Sequence, residues 1–118
     1  MLIINGKIFT MTGKPVDCGY IRTEGKVITE VGTMSSLDKR QKGEEVLDVD
    51  GAWVLPGLIE AHAHIGISEE KWGAIGDDCN ELTNPVTPAL RAIDAVNAMD
   101  PAFHDAIKAG ITSVMTGP

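Results

Sequence analysis

His62 and His64 stand two residues apart at the end of the run Leu58-Ile59-Glu60-Ala61. The residues from Leu58 to His64 are expected to form a strand. Side chains alternate faces along a strand, so both imidazoles would project the same way. Two imidazoles one strand step apart can converge on one divalent metal, with metal–nitrogen distances of roughly 2 Å. Solvated histidines near a strand end would give the same His-x-His spacing. Two donors do not complete a metal site, so the remaining ligands must come from elsewhere.

The elements around this strand divide by pattern. Residues 1–55 read as short strands and turns. Leu2-Ile3-Ile4 and Lys7-Ile8-Phe9-Thr10 flank Asn5-Gly6, a strong turn pair. Gly19–Thr23 and Val27–Val31 flank Glu24-Gly25-Lys26 as a hairpin, with Ile21, Val27 and Val31 expected to face a core. The segment from Ser35 to Lys42 is polar and reads as a surface turn, with one short helical turn at Ser36-Leu37-Asp38. Val46–Val49 and Ala52–Leu55 flank a tight turn at Asp50-Gly51. This half has the pattern of a small β-sandwich or an open sheet.

The pattern changes at Pro56-Gly57. After the histidines, the stretch from Ile65 to Asn84 shows no clear period and reads as a long loop. Thr87-Pro88 predicts a helix start, with Thr as N-cap and Pro at the first helical position. Leu90, Ile93 and Val96 follow at helical spacing. Asp100-Pro101 repeats the signal, Phe103, Ala106 and Ile107 form the next apolar face, and Gly110 is placed to end that helix. The β-rich run from Ile111 to Thr116 then completes strand, loop, helices, strand: a βαβ crossover with a parallel pair. A buried-looking strand ending in imidazoles is also what a barrel enzyme shows where its strands reach the active-site face.

The totals exclude some function classes. The 118 residues carry a formal net charge of −7, with 43% hydrophobic and 23% charged residues. That is ordinary for a globular domain. No basic stripe exists to neutralise phosphates, which argues against a nucleic-acid partner. Cys18 and Cys79 have no framework or Cys-x-x-Cys spacing and read as free thiols in a reducing compartment, a disulfide remaining open. No apolar run approaches the roughly 20 residues needed to cross a bilayer, and no signal-peptide pattern opens the chain. A cytoplasmic setting with no membrane partner is expected.

The run Pro56-Gly57-Leu58-Ile59-Glu60-Ala61-His62-Ala63-His64 resembles the first-strand signature of the amidohydrolase superfamily of metal-dependent hydrolases. Ile4-Asn5-Gly6-Lys7-Ile8, Gly25-Lys26-Val27-Ile28, Val31-Gly32 and Asp50-Gly51 match the segment that precedes it. The run from Pro85 to Asp94, followed by Ala109-Gly110-Ile111-Thr112, is similar to the imidazolonepropionase-like branch. The resemblance implies a mixed α/β chain. Residues 1–55 would be the N-terminal part of a composite β-sandwich, and residues 56–118 the first βαβ unit of a TIM-like barrel. It implies that His62 and His64 bind a divalent metal, usually zinc. It further implies that metal-activated water attacks an amide, cyclic amide or amidine-like carbon of a small-molecule substrate.

Two departures stand out. The family usually has aspartate where this chain has Glu60, which shares the face of the histidines. A barrel of eight βα units needs roughly 250 residues, and only His104, on a helix, follows the motif. The chain therefore reads as an N-terminal fragment, with the other ligands and the acid/base aspartate outside it, inactive alone, its parent's oligomeric state open and a homo-oligomer among the options. Glu60, Asp78, Asn80 and Arg91 are the candidates for touching substrate or supporting a ligand histidine. Against this, Asp77–Glu81 reads more readily as a solvated loop, and Arg91 as a partner of Asp94 or of a backbone carbonyl. Cys79 has mostly acidic neighbours and no reason for a lowered thiol pKa. His104 reads as structural or solvated, and Trp53 and Trp72 as core or loop-anchoring aromatics. Two other readings remain at this level: a hydrolase of the Xaa-Pro dipeptidase type in the same superfamily, and a non-catalytic β-rich module that keeps the signature for folding.

Overall fold

The computed structural model describes residues 1–69 and 73–118 of a mixed α/β chain. Trp72 lies outside the described residues. The chain divides into two compact units, Met1–Pro56 and Gly57–Pro118.

Unit 1 is one five-stranded sheet: β1 (Leu2–Ile8), β2 (Val16–Glu24), β3 (Val27–Thr33), β4 (Val46–Asp48) and β5 (Trp53–Val54). β1 is its axis, pairing antiparallel with β2 and parallel with both β4 and β5. β1 alternates between buried and half-buried positions, as a strand with one covered face should. Leu2 and Ile4 pack with Tyr20 of β2 against Met34, Leu37 and Val46. The expected hairpin is present, with β2 and β3 joined through Gly25 at φ 57°.

Two expectations for this unit are corrected. Asn5-Gly6 is not a turn: β1 runs straight through it, with Asn5 at φ 60° and a shift of register against β2. A positive φ serves a bulge as well as a turn. Here the slack is taken up by the segment between β4 and β5, where the amides of Val49 and Gly51 donate to the carbonyls of Ile4 and Asn5. Gly6 needs its missing side chain, because a Cβ there would stand 2.8 Å from a Val54 methyl. Asp50-Gly51 is the tight turn expected, closed by the Ala52 amide on the Val49 carbonyl, and β4 and β5 on either side of it follow one another along the same neighbour. Finally, Val27 and Val31 do not face a core. Ile21 is buried, but every residue of edge strand β3 except Gly32 is exposed, because no described element covers it. The short helical turn falls at Met34–Ser36, slightly earlier than expected. Trp53 is 69% exposed and packs on Phe9 with ring centroids 5.1 Å apart.

Arg22 supplies an interaction that strand periodicity does not reveal. Its side chain is buried on β2, where Nε donates to Glu44 Oε1 at 2.7 Å and Nη1 to Glu30 Oε2 at 2.6 Å. The guanidinium hydrogen bond holds the Glu44 carboxyl below its ordinary value, and the paired carboxylates raise Arg22 in turn. A depressed carboxyl contributes stability above its unfolded pKa and loses that contribution as pH falls through the folded one. Protection of the β1 and β2 amides against hydrogen exchange should therefore fall below about pH 4.5, the ordinary value for Glu44. Glu44→Gln should lower protection at pH 7 and flatten its decline in acid. Identical pH profiles for the two proteins would show that the pair is energetically silent.

Unit 2 holds β6 (Leu58–Ala63) and β7 (Ile111–Thr116), joined in parallel, with α1 (Ala92–Ala95) and α2 (Pro101–Lys108) between them. α2 begins as its sequence predicts: Asp100 Oδ1 accepts from the amide of Ala102, and Pro101 opens the helix. Gly110, at φ 87°, follows its end. Phe103 and Ala106 are half-buried, whereas Ile107 is 65% exposed. The expected helix at Thr87-Pro88 is corrected to a turn, in which the Leu90 amide donates to the Thr87 carbonyl. Helix appears only at Ala92–Ala95, a single turn. Leu90 and Ile93 are 61% and 73% exposed, so no burial offsets the cost of nucleating a longer helix. Between Ile65 and Asn84 the described residues form an irregular segment, with one short helical turn at Gly73–Gly76 and an isolated bridge between Ser68 and Asp77. Among the described residues no helix is long and apolar enough to cross a membrane.

Gly57 explains the glycine at the entry to β6: a Cβ there would overlap the Thr112 side chain at the start of β7. Gly57→Ala should destabilise unit 2 by about 1–3 kcal/mol through overpacking. Adding Thr112→Ala, which removes the clashing Oγ1 and Cγ2, should restore part of the loss. Equilibrium denaturation of the single and double variants checks this, and additive losses would place the strain elsewhere.

Candidate functional site

Strand alternation places both imidazoles on one side of the β6 terminus, with His64 one residue beyond the last strand residue, Ala63. Their ring centroids are 5.3 Å apart and the planes are inclined at 87°. Two imidazoles sharing one tetrahedral ion have centroids roughly 5 Å apart, given metal–nitrogen bonds of about 2 Å. The donor set therefore fits a divalent metal, which His62 and His64 could hold in part. His64 Nδ1 lies 2.6 Å from the carbonyl oxygen of Gly117, just past β7. A carbonyl only accepts, so Nδ1 carries the proton, and in the neutral ring Nε2 is then the nitrogen with the lone pair. Fixing a histidine's tautomer through its far nitrogen is how proteins prepare it for a metal. A cavity of about 40 Å³ lies between the two rings, Met115 and Pro118.

The turn after His64 is clamped from two sides. The His64 carbonyl accepts from the amides of Ile67 and Ser68, and Thr116 Oγ1 donates to the Ile65 carbonyl at 2.8 Å. On the other side, buried Asp100 spends one oxygen on the α2 cap and the other, Oδ2, on the Gly66 amide at 3.0 Å. The Gly66 carbonyl in turn accepts from the Asn97 amide at 2.7 Å. Gly66 sits at φ 80° with Phe103 so close that a Cβ would stand 2.9 Å from its ring. The Asp-Pro signal reveals only the cap; the second bond spans 34 residues, and nothing local encodes it.

The other candidates do not join the histidines. Glu60 lays its carboxylate against its own strand, accepting from the His62 amide two residues on at 3.0 Å. Among the described residues no third His, Cys, Asp or Glu completes a metal-binding cluster. Asp78, Asn80 and Arg91 instead line a separate cleft of about 620 Å³ with Cys79, Glu81 and Asp94. Pro118 borders both cavities. Arg91 grips Asp94 with two bonds, Nε–Oδ2 at 3.0 Å and Nη2–Oδ1 at 2.7 Å, as its alternative reading has it. His104 is exposed on α2.

Burial, followed by the neighbouring Asp77 carboxylate, pushes the half-buried Cys79 thiol up. A raised pKa means less thiolate at neutral pH. Thiol titration at pH 7.5 should therefore modify exposed Cys18 first and Cys79 more slowly, with the order read by peptide mass mapping. Faster modification of Cys79 would contradict this environment.

No family model matches the chain. It is 47% identical over 64 residues to a dihydroorotase from Bacillus pumilus, an alignment covering 54% of this chain and 14% of that protein. It is 30% identical over 122 residues to a 5-methylthioadenosine/S-adenosylhomocysteine deaminase from Bacillus cereus, covering 93% of this chain and 26% of the relative. Among solved structures, an amidohydrolase from Thermotoga maritima matches 99% of the chain with a TM-score of 0.86 at 36% identity. The chain spans 29% of that structure's length. It therefore covers less than a third of each of these three proteins.

Proposed function

The chain belongs to the amidohydrolase superfamily, fitting an N-terminal portion of such a protein, and we propose that the protein carrying it is a metal-dependent hydrolase of non-peptide carbon–nitrogen bonds. His62 and His64 are two of the metal's ligands in this reading. The observation that carries it is the pair of rings 5.3 Å apart, one with its Nδ1 proton committed to the Gly117 carbonyl. The relatives are hydrolases acting on carbon–nitrogen bonds. One is named for dihydroorotase activity and another for a deaminase, so the reaction is assigned at the level of the bond rather than of a substrate. The imidazolonepropionase-like branch has no specific support in the site, and neither does the dipeptidase or the non-catalytic reading.

Imidazole donors suit zinc among the transition metals, and zinc is the ion proposed. When bound, such an ion acidifies water and polarises a carbonyl, the two demands of hydrolysis. The residues of this chain do the holding. The β6 pleat aims both rings to one side, and the Gly117 carbonyl keeps His64 in the tautomer whose Nε2 is free. Glu60 braces the strand just ahead of the pair through the His62 amide. The cleft lined by Asp78, Asn80 and Arg91 borders the same residue, Pro118, and is the proposed approach for a small-molecule substrate. In this reading unit 2 is the first βαβ unit of a barrel and unit 1 part of a composite sandwich. The exposed apolar side chains of β3, Val27, Ile28 and Val31, are what a further sandwich layer would cover.

Metal analysis of the whole protein tests the assignment. It should purify with a divalent ion, and His62→Ala and His64→Ala should each weaken binding at least about tenfold and abolish hydrolysis of amide or amidine substrates. Both variants retaining metal and activity would overturn it.

A further inference from the structure

Resting on the reading of His62 and His64 as metal ligands, we infer that Asp100 is a positioning residue for the histidine pair. It acts by holding the turn that sets the direction of His64. Asp100 is 3% exposed, yet among the described residues no side chain hydrogen-bonds its carboxylate. Both of its bonds go to backbone amides, one at the start of α2 and one at Gly66, two residues after His64. A helix cap alone needs one acceptor oxygen, and serine or threonine supplies it as well as aspartate. The second oxygen is not needed for capping and instead fastens the His64–Ser68 turn to the crossover helix.

The consequence reaches the ring. His64 stands beyond the last residue of β6, so its backbone lacks the strand's own pairing on the carboxyl side. Its direction depends on the turn that follows. That turn is fixed at Gly66 by Asp100, at Ile65 by Thr116 and at the ring itself by Gly117. Gly66 could not carry a side chain, because Phe103 of α2 occupies the space. The helix N-terminus and the histidine turn are therefore held together by both packing and hydrogen bonding. Releasing the Gly66 amide frees the turn, and with it the alignment of Nδ1 on the Gly117 carbonyl.

Asp100→Ser separates the two roles. Its hydroxyl can cap Ala102 but is too short to span to Gly66 as well. Asp100→Asn keeps the shape but presents an amide donor where one acceptor stood. Three readouts in the whole protein distinguish positioning from capping. They are zinc affinity by chelator competition, the His64 tautomer of the metal-free protein by ring nitrogen shifts, and hydrogen exchange along α2. Asp100→Ser should weaken zinc binding about tenfold and give mixed His64 tautomers, with α2 protection close to that of the parent. Asp100→Asn should shift the tautomer in the same direction if the serine variant does not fold. Either variant folded with the parent's α2 protection and the parent's His64 tautomer overturns the inference and leaves Asp100 a helix cap. His62→Ala keeps the two failures apart: unchanged zinc binding in that variant refutes the ligand assignment, while the metal-free tautomer still decides the role of Asp100.

Discussion

The parallel pairing of β6 with β7 brings into contact residues that the sequence holds far apart. His64 and the Gly117 carbonyl are separated by 53 positions. A parallel pair cannot close by a hairpin, so the chain must cross over between the two strands. In this protein the crossover is not merely a tether. It carries Asp100 to the turn after the histidines and Phe103 onto Gly66. The same geometry that satisfies the strands therefore delivers the groups that hold the imidazoles. At the other end of the pair, Gly57 lies against Thr112 with no room for a side chain, so strand entry is as constrained as strand exit.

The two units are held by different means. Unit 1 combines an apolar cluster around Leu2, Ile4 and Tyr20 with a buried guanidinium between two carboxylates. A buried charge survives only where its partners are good, and Arg22 has both Glu44 and Glu30 within 2.7 Å. Unit 2 has little core: Ile67 is its one large buried side chain among the described residues. Its order near the histidines rests on hydrogen bonds to backbone and on close backbone approach. Such contacts are directional, which suits a site that must aim two rings.

Much of this was legible in the sequence, and the pattern of failures has a physical logic. The histidine strand, the β2–β3 hairpin, the start of α2 and strand β7 are encoded by local rules: alternation, a glycine in the turn, an Asp-Pro cap. Asn5-Gly6 was misleading because a bulge and a turn both call for a positive φ. What separates them is whether a neighbouring strand absorbs the extra residue, and here residues 49–52 do so. Thr87-Pro88 carries sound cap chemistry, but Leu90 and Ile93 find no surface to bury against, and caps alone do not make a helix. Arg22 with Glu44 and Asp100 with Gly66 were invisible for a simpler reason. Each is a tertiary bond between segments whose composition looks ordinary.

The donor arithmetic explains why the site has the form it does. Two imidazoles on one pleat give direction but not affinity, since zinc sites in proteins supply three or four donors. Glu60 does not make up the number, since among the described residues no third His, Cys, Asp or Glu clusters with the pair. In the proposed reading the further donors lie outside the chain, which spans less than a third of each relative's length. Meanwhile Leu58, Ile59 and Met115 are 53%, 75% and 58% exposed on a sheet of two strands. Such a sheet is marginal by itself. Two imidazoles mounted on a marginal sheet would wander unless something other than the sheet fixed them. The clamps at Gly66, Ile65 and Gly117 meet that need, and they act on backbone and ring directly rather than through the strand faces. Preorganisation is thus concentrated at the strand terminus, where the donors are, and not in the body of the sheet that carries them.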